Sequence, residues 1–244
     1  MKIKLPPELL WACPVAVPDL IRLGGKMDGG YLVPKSVVEK SQGLLSFGLG
    51  DDFTFDQGWQ ALKPNDPIHM YDASVSRDNI RVNVNSSARG HLDLKSMYDR
   101  FFQGNVKHIS QFIDPNNFAQ ALDHIGVEQV FVKMDIEGAE YNLIDLFLAH
   151  KDRITGIAME WHQCENRGAK WREAVEKWKE HYTIVHLHGN NHVSPDSDNM
   201  FGCTELTHVR NDLVVGKELR KQVHIPELDY SNASGQEDYE YYFE

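Results

Sequence analysis

The stretch VFVKMDIEGAE, residues Val130–Glu140, joins an apolar run to a cluster of carboxylates. Its first residues form a short apolar block, which is typical of a strand buried on both faces. Asp135 and Glu137 follow at the end of this block, and the apolar residues that come next recur at helical spacing. The stretch therefore predicts a buried strand, acids at its carboxyl end and then a helix, at the edge where open α/β sheets bind ligands.

The alternation of strand and helix continues on both sides of this stretch. Short apolar runs predict further strands at 44–47, 68–71, 106–109, 154–161, 182–187 and 204–209. Amphipathic segments lie between several of them, and this order is typical of a doubly wound, Rossmann-like α/β sheet that is mostly parallel. We expect one domain over residues 1–228, with 1–40 as an N-terminal cap segment. Residues 229–244 are acidic and rich in tyrosine, without Lys or Arg, and predict a mobile tail.

Composition restricts the class of protein. The 244 residues carry a formal net charge of −11, and no cluster of Lys and Arg offers the basic stripe that sequence-independent nucleic-acid binding requires. We therefore expect no nucleic-acid partner. Cys13, Cys164 and Cys203 have neither a metal-binding nor a disulfide spacing, which favours a reducing compartment. Without an apolar leader or a membrane-spanning stretch, the chain is predicted to be cytoplasmic and not membrane-bound.

A Gly-rich turn and a carboxylate predict a nucleoside cofactor. Gly48 and Gly50 follow the predicted strand 44–47, in a turn where a ligand can approach the backbone. Asp72 follows the next strand, twenty-two positions after Gly50. An acid at this place suits hydrogen bonding to both ribose hydroxyls. The structural alternative is that Asp72 caps a turn or a helix.

A second Gly-rich segment, RLGGKMDGGY at residues 22–31, contains two pairs of glycines. Such pairs mark tight turns or a close approach of the backbone to another group. The segment is either a hairpin that caps the sheet or a lid over a bound cofactor.

Polar side chains follow the later strands, and in a parallel sheet they would gather at one edge. They are Asp135, Glu137, Glu160, His162, His188, Asn190, Asn191 and His192. We predict that Asp135, Glu160 and His162 act in catalysis and that the other five residues bind the substrate. Each has a structural alternative: acids near a helix start stabilise the helix dipole, and a single histidine is often an interior residue.

Two chemical roles are considered for this group. His162 is the first candidate for a general base, because the unperturbed pKa of histidine lies near neutrality; His188 and His192 are rivals. A divalent metal is the second hypothesis, with Asp135, Glu160 and His162 as ligands for Mg²⁺ or Mn²⁺, and Asn190 or His192 in place of His162 as alternatives.

Six pieces of sequence resemble one known family. They are KMDIEGAE (133–140), DGGY (28–31), SFGLG (46–50), EWH (160–162), LHGNN (187–191) and ELTHVR (205–210). The first is the most specific, and together they resemble the FkbM-like methyltransferases, which use S-adenosylmethionine. The resemblance extends over most of the chain.

The resemblance implies a seven-stranded class I methyltransferase fold with an antiparallel last strand. It also implies O-methylation of a sugar or another small hydroxylated metabolite, so that the partner would be a small molecule or a glycan; the oligomeric state stays open. The cofactor-binding residues that it implies are Phe47, Gly48, Gly50, Asp72, Ala73, Asp135 and Ile136. Asp51 and Asp52 depart from the family, which has a further small residue in that turn.

Two other classes of protein remain as alternatives. A nicotinamide-dependent oxidoreductase would use the same Gly turn and ribose acid, but position 53 is Phe, so the full Gly-x-Gly-x-x-Gly pattern is missing. A non-catalytic binding protein on the same fold, with the acidic tail as its interaction segment, is the other alternative.

Overall fold

The computed structural model describes residues 1–50, 52–80, 94–162, 168–195 and 202–244. In chain order the strands are β1 (Lys2–Lys4), β2 (Leu20–Leu23), β3 (Tyr31–Pro34), β4 (Gly43–Phe47), β5 (Ile68–Tyr71), β6 (Val106–Ile109), β7 (Val130–Met134), β8 (Ile154–His162), β9 (Tyr182–Gly189), β10 (Cys203–Arg210) and β11 (Glu240–Tyr242). The α-helices are α1 (Lys35–Lys40), α2 (Thr54–Leu62), α3 (Leu94–Phe101), α4 (Phe118–Ile125), α5 (Ile144–Ala149) and α6 (Gly168–Trp178). A 3₁₀-helix at Pro7–Ala12 lies in the N-terminal segment, and short 3₁₀ turns follow β7 and β10.

A seven-stranded sheet forms the centre of the molecule, in the order β6-β5-β4-β7-β8-β10-β9. The pairs from β6 to β8 are parallel, whereas β10 runs antiparallel to both β8 and β9. The predicted doubly wound α/β sheet is therefore confirmed, and its order and single reversed strand are those of the class I methyltransferase fold. Because β10 is antiparallel, its first residues lie at the edge of the sheet where the parallel strands end. They therefore lie beside the residues that follow those strands.

Helices cover both faces of this sheet. The apolar sides of α4, α5 and α6 pack into one core, which includes Trp171 and Trp178, and those of α1, α2 and α3 pack into the other. Strands such as β4 and β7 are buried along their whole length, which explains their continuous apolar sequence. None of the helices in the described part of the chain is long and apolar enough to cross a membrane.

The centre of the sheet requires glycine at position 48. The backbone N–H of Asp135 donates to the carbonyl oxygen of Phe47 at 2.8 Å, and that of Gly48 donates to Tyr71 at 3.0 Å. Gly48 has a φ of +84°, and a Cβ there would lie 1.7 Å from the carbonyl oxygen of Asp135. Below this contact, the buried Lys133 ammonium donates to the Gly48 carbonyl oxygen at 2.8 Å. The close backbone contact between the ends of β4 and β7 therefore explains why position 48 requires glycine, and this explanation needs no ligand.

The second Gly-rich segment forms the loop of the antiparallel hairpin β2–β3. Its glycines pack against one another, since a Cβ at Gly24 would lie 2.6 Å from the carbonyl oxygen of Gly29. The Arg22 guanidinium donates to the carbonyl oxygens of Gly25 and Met27, at 2.6 and 3.0 Å, and holds the loop in shape. The hairpin interpretation is thus confirmed as local structure, while the role as a lid stays a prediction.

The C-terminal segment is packed against the domain, which differs from the mobile tail predicted from its composition. β11 pairs in parallel with β1, and Tyr241 and Phe243 are buried in the core. The acids meet histidines of β9: Asp229 lies 3.0 Å from His186, and Asp238 lies 3.0 Å from His188. The mobile tail was predicted on the assumption that its acidic side chains are solvated. In the fold, Asp229 and Asp238 instead pair with buried histidines.

The Gly48→Ala variant should be destabilised by several kcal/mol. The added methyl group meets the Asp135 backbone and the residue is forced into a left-handed conformation, a cost on the order of 1–2 kcal/mol even without a clash. Gly126→Ala is the matched control, because Gly126 has a φ of +74° and an added Cβ would have no atom within 4 Å in the part of the chain that the structure describes. Denaturant unfolding measures both. Equal losses of stability in the two variants would show that the contact with the Asp135 backbone adds no cost, and would contradict this explanation of Gly48.

Asp229→Asn should reduce stability near neutral pH, by roughly 3–5 kcal/mol if the pair behaves as a typical buried one. Burial opposes ionisation of Asp229, but its pairing with His186 outweighs burial and holds the pKa of this carboxyl well below its usual value. A lowered folded-state pKa stabilises the protein above the unfolded pKa of 3.8 and loses that contribution as the pH falls through the folded value. The difference in unfolding free energy between wild type and variant should therefore be present at neutral pH and shrink under acid conditions. Glu237→Gln, at an exposed carboxylate, should change nothing.

Candidate functional site

The acids of strand β7 and its neighbour β8 meet at the carboxyl edge of the sheet, as predicted for a parallel pair. Asp135, half-buried, and Glu137 follow β7, and Glu160 and His162 end β8. His162 lies at the centre of this group. Its Nε2 is 3.4 Å from Glu137 Oε2, 3.7 Å from Asp135 Oδ1 and 3.9 Å from Glu160 Oε2.

Glu140 holds the imidazole of His162 in place through its Nδ1 atom. Its side chain is fully buried, and Oε1 lies 2.9 Å from His162 Nδ1 while also accepting the backbone N–H groups of Ile136 and Gly138 at 3.2 and 3.1 Å. Glu140 therefore closes the turn after β7 and orients the imidazole, with Nε2 directed towards the other acids. Glu140 is thus the residue that positions His162.

Glu137 has an unusual backbone conformation. Its φ is +57°, the only positive value for a residue other than glycine in the described part of the chain. This conformation is disfavoured for a side chain with a Cβ and is often found where function requires a particular orientation. Here it leaves the exposed carboxylate of Glu137 beside His162.

The surrounding acids change the protonation of His162. Burial alone lowers the pKa of a histidine, but the hydrogen bond to Glu140 and the charges of Glu160, Glu140 and Asp135 outweigh it and raise the pKa to about 9. The ring is thus an imidazolium at neutral pH. The hypothesis that His162 is a general base was made with the unperturbed pKa of histidine. With the raised pKa, His162 can act as a base only when a bound group offsets the negative charge around the ring.

Glu160 faces a second polar group, formed with β10 and with residues outside the sheet. Its Oε1 accepts from Asn190 Nδ2 at 2.6 Å and lies 2.8 Å from Cys203 Sγ. Because β10 is antiparallel, Glu205 pairs with Glu160 in register and joins the same edge. Burial and then the charges of Asp135, Glu205 and Asp28 raise the pKa of Glu160 to about 8.

The hairpin and the tail complete this second group. Asp28 reaches it from the β2–β3 loop, and Asn232 from the C-terminal segment. The Asn232 amide nitrogen donates to Glu205 Oε1 at 2.6 Å and to Asp28 Oδ1 at 3.2 Å. The site therefore combines the sheet edge with both terminal segments of the chain.

The residues predicted to bind substrate divide into two kinds. His188 is buried with both ring nitrogens engaged, by Glu205 at 3.1 Å and Asp238 at 3.0 Å, and Asn191 bonds to Ser231 and to the backbone of the tail. Both thus hold the tail and have little capacity left for a ligand, which departs from the prediction. Asn190 holds Glu160, and His192 is exposed beside the group.

The residues predicted to bind the cofactor differ in whether their side chains reach the edge of the sheet. Asp72 lies at the Gly turn, where Oδ2 accepts the backbone N–H groups of Leu49 and Gly50 at 2.9 and 3.1 Å. Ser74 donates twice to Oδ1. Burial opposes ionisation of Asp72, but these hydrogen bonds outweigh it and lower its pKa. The side chain of Phe47 lies in the core, so only its backbone reaches the edge, whereas Ala73 is exposed and Ile136 is half-buried.

The predicted metal ligands do not form one group. Asp135 and His162 come within 4.8 Å of each other together with Glu137, whereas Glu160 groups with His162 and Cys203, and separately with Asp28 and Glu205. Asp135 and Glu137 lie together in the turn after β7, whereas Glu160 lies on β8 opposite Glu205 of β10. Cys164 and Asp51 lie outside the described residues.

Comparisons with known proteins give only distant similarities. No protein-family model and no curated protein sequence matches the chain. It is similar to the fibrillarin pre-rRNA processing protein of Methanococcus jannaschii, with 11% identity and a TM-score of 0.42 over 74% of this chain and 70% of that chain. It is similar to a precorrin-6y C5,15-methyltransferase from Geobacter metallireducens, with 15% identity and a TM-score of 0.40 over 71% and 84%. Scores this low carry no functional argument, so function is argued from the site itself.

The Glu140→Gln variant should lower the pKa of His162 from about 9 towards the ordinary value of 6.5. The substitution removes the interaction that most strongly stabilises the imidazolium. NMR titration of the His162 ring protons measures the change in a protein whose folding is checked by circular dichroism. Glu137→Gln, at a mostly exposed carboxylate, should shift the pKa less. An unchanged titration in Glu140→Gln would contradict the positioning role of Glu140.

Proposed function

We propose that this protein is an S-adenosylmethionine-dependent methyltransferase that methylates a hydroxyl of a sugar or another small hydroxylated metabolite. The observation that carries the proposal is the arrangement at the carboxyl edge of the sheet. There, His162 is oriented by a buried carboxylate and faces Asp135, next to the Gly turn and Asp72. A positioned histidine close to the proposed cofactor site suits the methylation of a hydroxyl, because it can hold the acceptor and take its proton.

The Gly turn fits the nucleoside part of the cofactor. A Cβ at Gly50 would meet no atom of the described residues within 4 Å, and this space suits a ligand. Asp72 has protein donors on both oxygens, but one of them is the hydroxyl of Ser74, an exposed residue that can rotate away. A ribose hydroxyl can take its place, while Leu49 and Gly50 continue to hold the other oxygen.

The acid group fits the charge of the cofactor. S-adenosylmethionine supplies an electrophilic methyl group on a positively charged sulfonium. Asp135 Oδ1 is buried without a hydrogen-bond partner among the described residues, and this carboxylate is suited to a cation. A positive charge beside Asp135 also opposes the effect that raises the pKa of His162, and so favours the neutral ring.

His162 is the proposed general base. Glu140 holds Nδ1, so Nε2 is the atom that takes the proton from the acceptor hydroxyl as the oxygen bonds to the methyl carbon. Glu137 and Glu160 lie within 4 Å of the same nitrogen, where they can accept hydrogen bonds from other hydroxyls of the acceptor. The acidic surroundings thus suit an acceptor with several hydroxyl groups.

Calorimetry with S-adenosylhomocysteine and with NADH tests the class of cofactor. We expect binding of S-adenosylhomocysteine and none of NADH. Binding of NADH alone would support the oxidoreductase alternative, and binding of neither would support a non-catalytic protein; both outcomes contradict the proposal. The Gly50→Ala variant should weaken S-adenosylhomocysteine by about tenfold or more, because its methyl group occupies the ligand space, a loss of roughly 1.4 kcal/mol. Gly126→Ala, equally strained and far along the chain, should bind normally.

Methyl transfer tests the base. With an acceptor found by screening hydroxylated metabolites against labelled S-adenosylmethionine, His162→Gln should reduce kcat by about 10²–10⁴-fold. Its affinity for S-adenosylhomocysteine should change little. His192→Gln, at the exposed rival, serves as the control and should retain activity. Wild-type kcat in the His162 variant would remove this residue from the base role.

A further inference from the structure

We propose that Asp28, Glu160 and Glu205 form a binding site for a divalent metal ion, with the hydroxyl of Tyr31 beside it. This site adjoins the group of Asp135, Glu137 and His162, because Glu160 lies 3.9 Å from His162 Nε2.

The three carboxylates come together from separate parts of the chain. Asp28 lies in the β2–β3 loop, Glu160 on β8 and Glu205 on β10, and each offers an oxygen within 4.8 Å of the others. Carboxylate oxygens are the ligands that Mg²⁺, Mn²⁺ and Ca²⁺ prefer in proteins. Three residues from three elements at this spacing can enclose one ion.

The negative charge of this group is offset in part by histidines, since His188 lies 3.1 Å from Glu205 and His162 lies 3.9 Å from Glu160. Glu160 and Glu205 are buried, and among the described residues no Lys or Arg forms an ion pair with any of the three carboxylates. Carboxylates removed from water at such short range require a proton or a cation between them. A divalent ion neutralises more of this charge than one proton does.

Tyr31 is an independent indication of a ligand. Its side chain is 2% exposed, and no hydrogen bond to its hydroxyl occurs within the described ranges of the chain. Burial, and then the charges of Asp135, Glu160, Glu205 and Asp28, raise the pKa of Tyr31 well above its usual value, so the hydroxyl lies in the same acidic region. The hydroxyl of a buried residue, close to a group of acids and without a hydrogen bond within the described ranges, is suited to a ligand atom or to water bound to an ion.

Neighbouring side chains hold the ligands in place and leave oxygens free. Asn232 donates to Asp28 and Glu205, Asn190 donates to Glu160, and His188 holds the other oxygen of Glu205. No donor in the described chain bonds to Asp28 Oδ2 or to Glu160 Oε2. Metal-binding carboxylates are typically oriented in this way by a surrounding set of hydrogen bonds.

The role of the ion rests on the proposed function, whereas the binding of the ion does not. An ion at this site lies next to His162 without occupying its Nε2, so the base stays available. Bound to the acceptor oxygen, a divalent ion would lower the pKa of the acceptor hydroxyl.

Titration of the full chain with MnCl₂ alone, after removal of metals with a chelator, tests the site. Electron paramagnetic resonance of free Mn²⁺ should show one bound ion. Asp28→Asn should weaken binding by about tenfold or more. Because Asp28 is an exposed loop residue, this variant is expected to fold normally, which thermal unfolding checks. Glu137→Gln is the matched control, as it removes a carboxylate from the other group, and should bind Mn²⁺ like wild type.

Two outcomes would overturn the proposal. One is the absence of Mn²⁺ binding in the wild type; the other is a loss of binding in Glu137→Gln with normal binding in Asp28→Asn, which would place the ion beside Asp135 and His162. Calorimetry with S-adenosylhomocysteine on the same samples separates this proposal from the proposed function. A protein that binds S-adenosylhomocysteine but not Mn²⁺ overturns only the metal site, and the reverse result overturns only the proposed function.

Discussion

The contact between the backbones of Gly48 and Asp135 determines where the functional groups of this protein lie. It joins the ends of β4 and β7 so closely that no side chain fits between them. The Gly turn that follows β4 and the acids that follow β7 are therefore adjacent parts of one surface. The buried Lys133 ammonium supports the crossing from within the sheet. A cofactor held over the Gly turn would thus have its reactive end near Asp135 as a result of sheet packing.

Negative charge is the dominant electrostatic property of this surface. Acids from β7, β8, β10 and the hairpin loop converge on a region in which the ionisable partners are mainly histidines. The protein compensates in different ways: His162 holds a proton, Glu160 has a pKa of about 8, and amide groups of Asn190 and Asn232 donate to carboxylates. Each of these responses offsets part of the repulsion between the acids.

The sequence was sufficient to predict the strands of the central sheet, but it did not predict several residues of the candidate site. Buried parallel strands such as β4 and β7 are continuous apolar runs, so their position and the acids at their ends could be predicted. Glu205 was missed because an antiparallel strand brings its beginning to the edge where parallel strands end. Asn232 and Asp238 were missed because the acidic composition of the tail predicted mobility, whereas Asn232 bonds to Glu205 and Asp238 to His188. The pKa of His162 depends on Glu140, twenty-two positions earlier, and on a turn whose geometry no periodicity predicts.

The left-handed backbone of Glu137 implies a conflict between stability and chemistry at this position. Glycine or asparagine would adopt this conformation at lower cost, and a glutamate there sacrifices on the order of 1 kcal/mol. Selection for a more stable protein would therefore tend to replace it, and the replacement would remove a carboxylate from the neighbourhood of His162. A stability-directed engineering effort that accepted glycine at position 137 would obtain a more robust scaffold with an altered site.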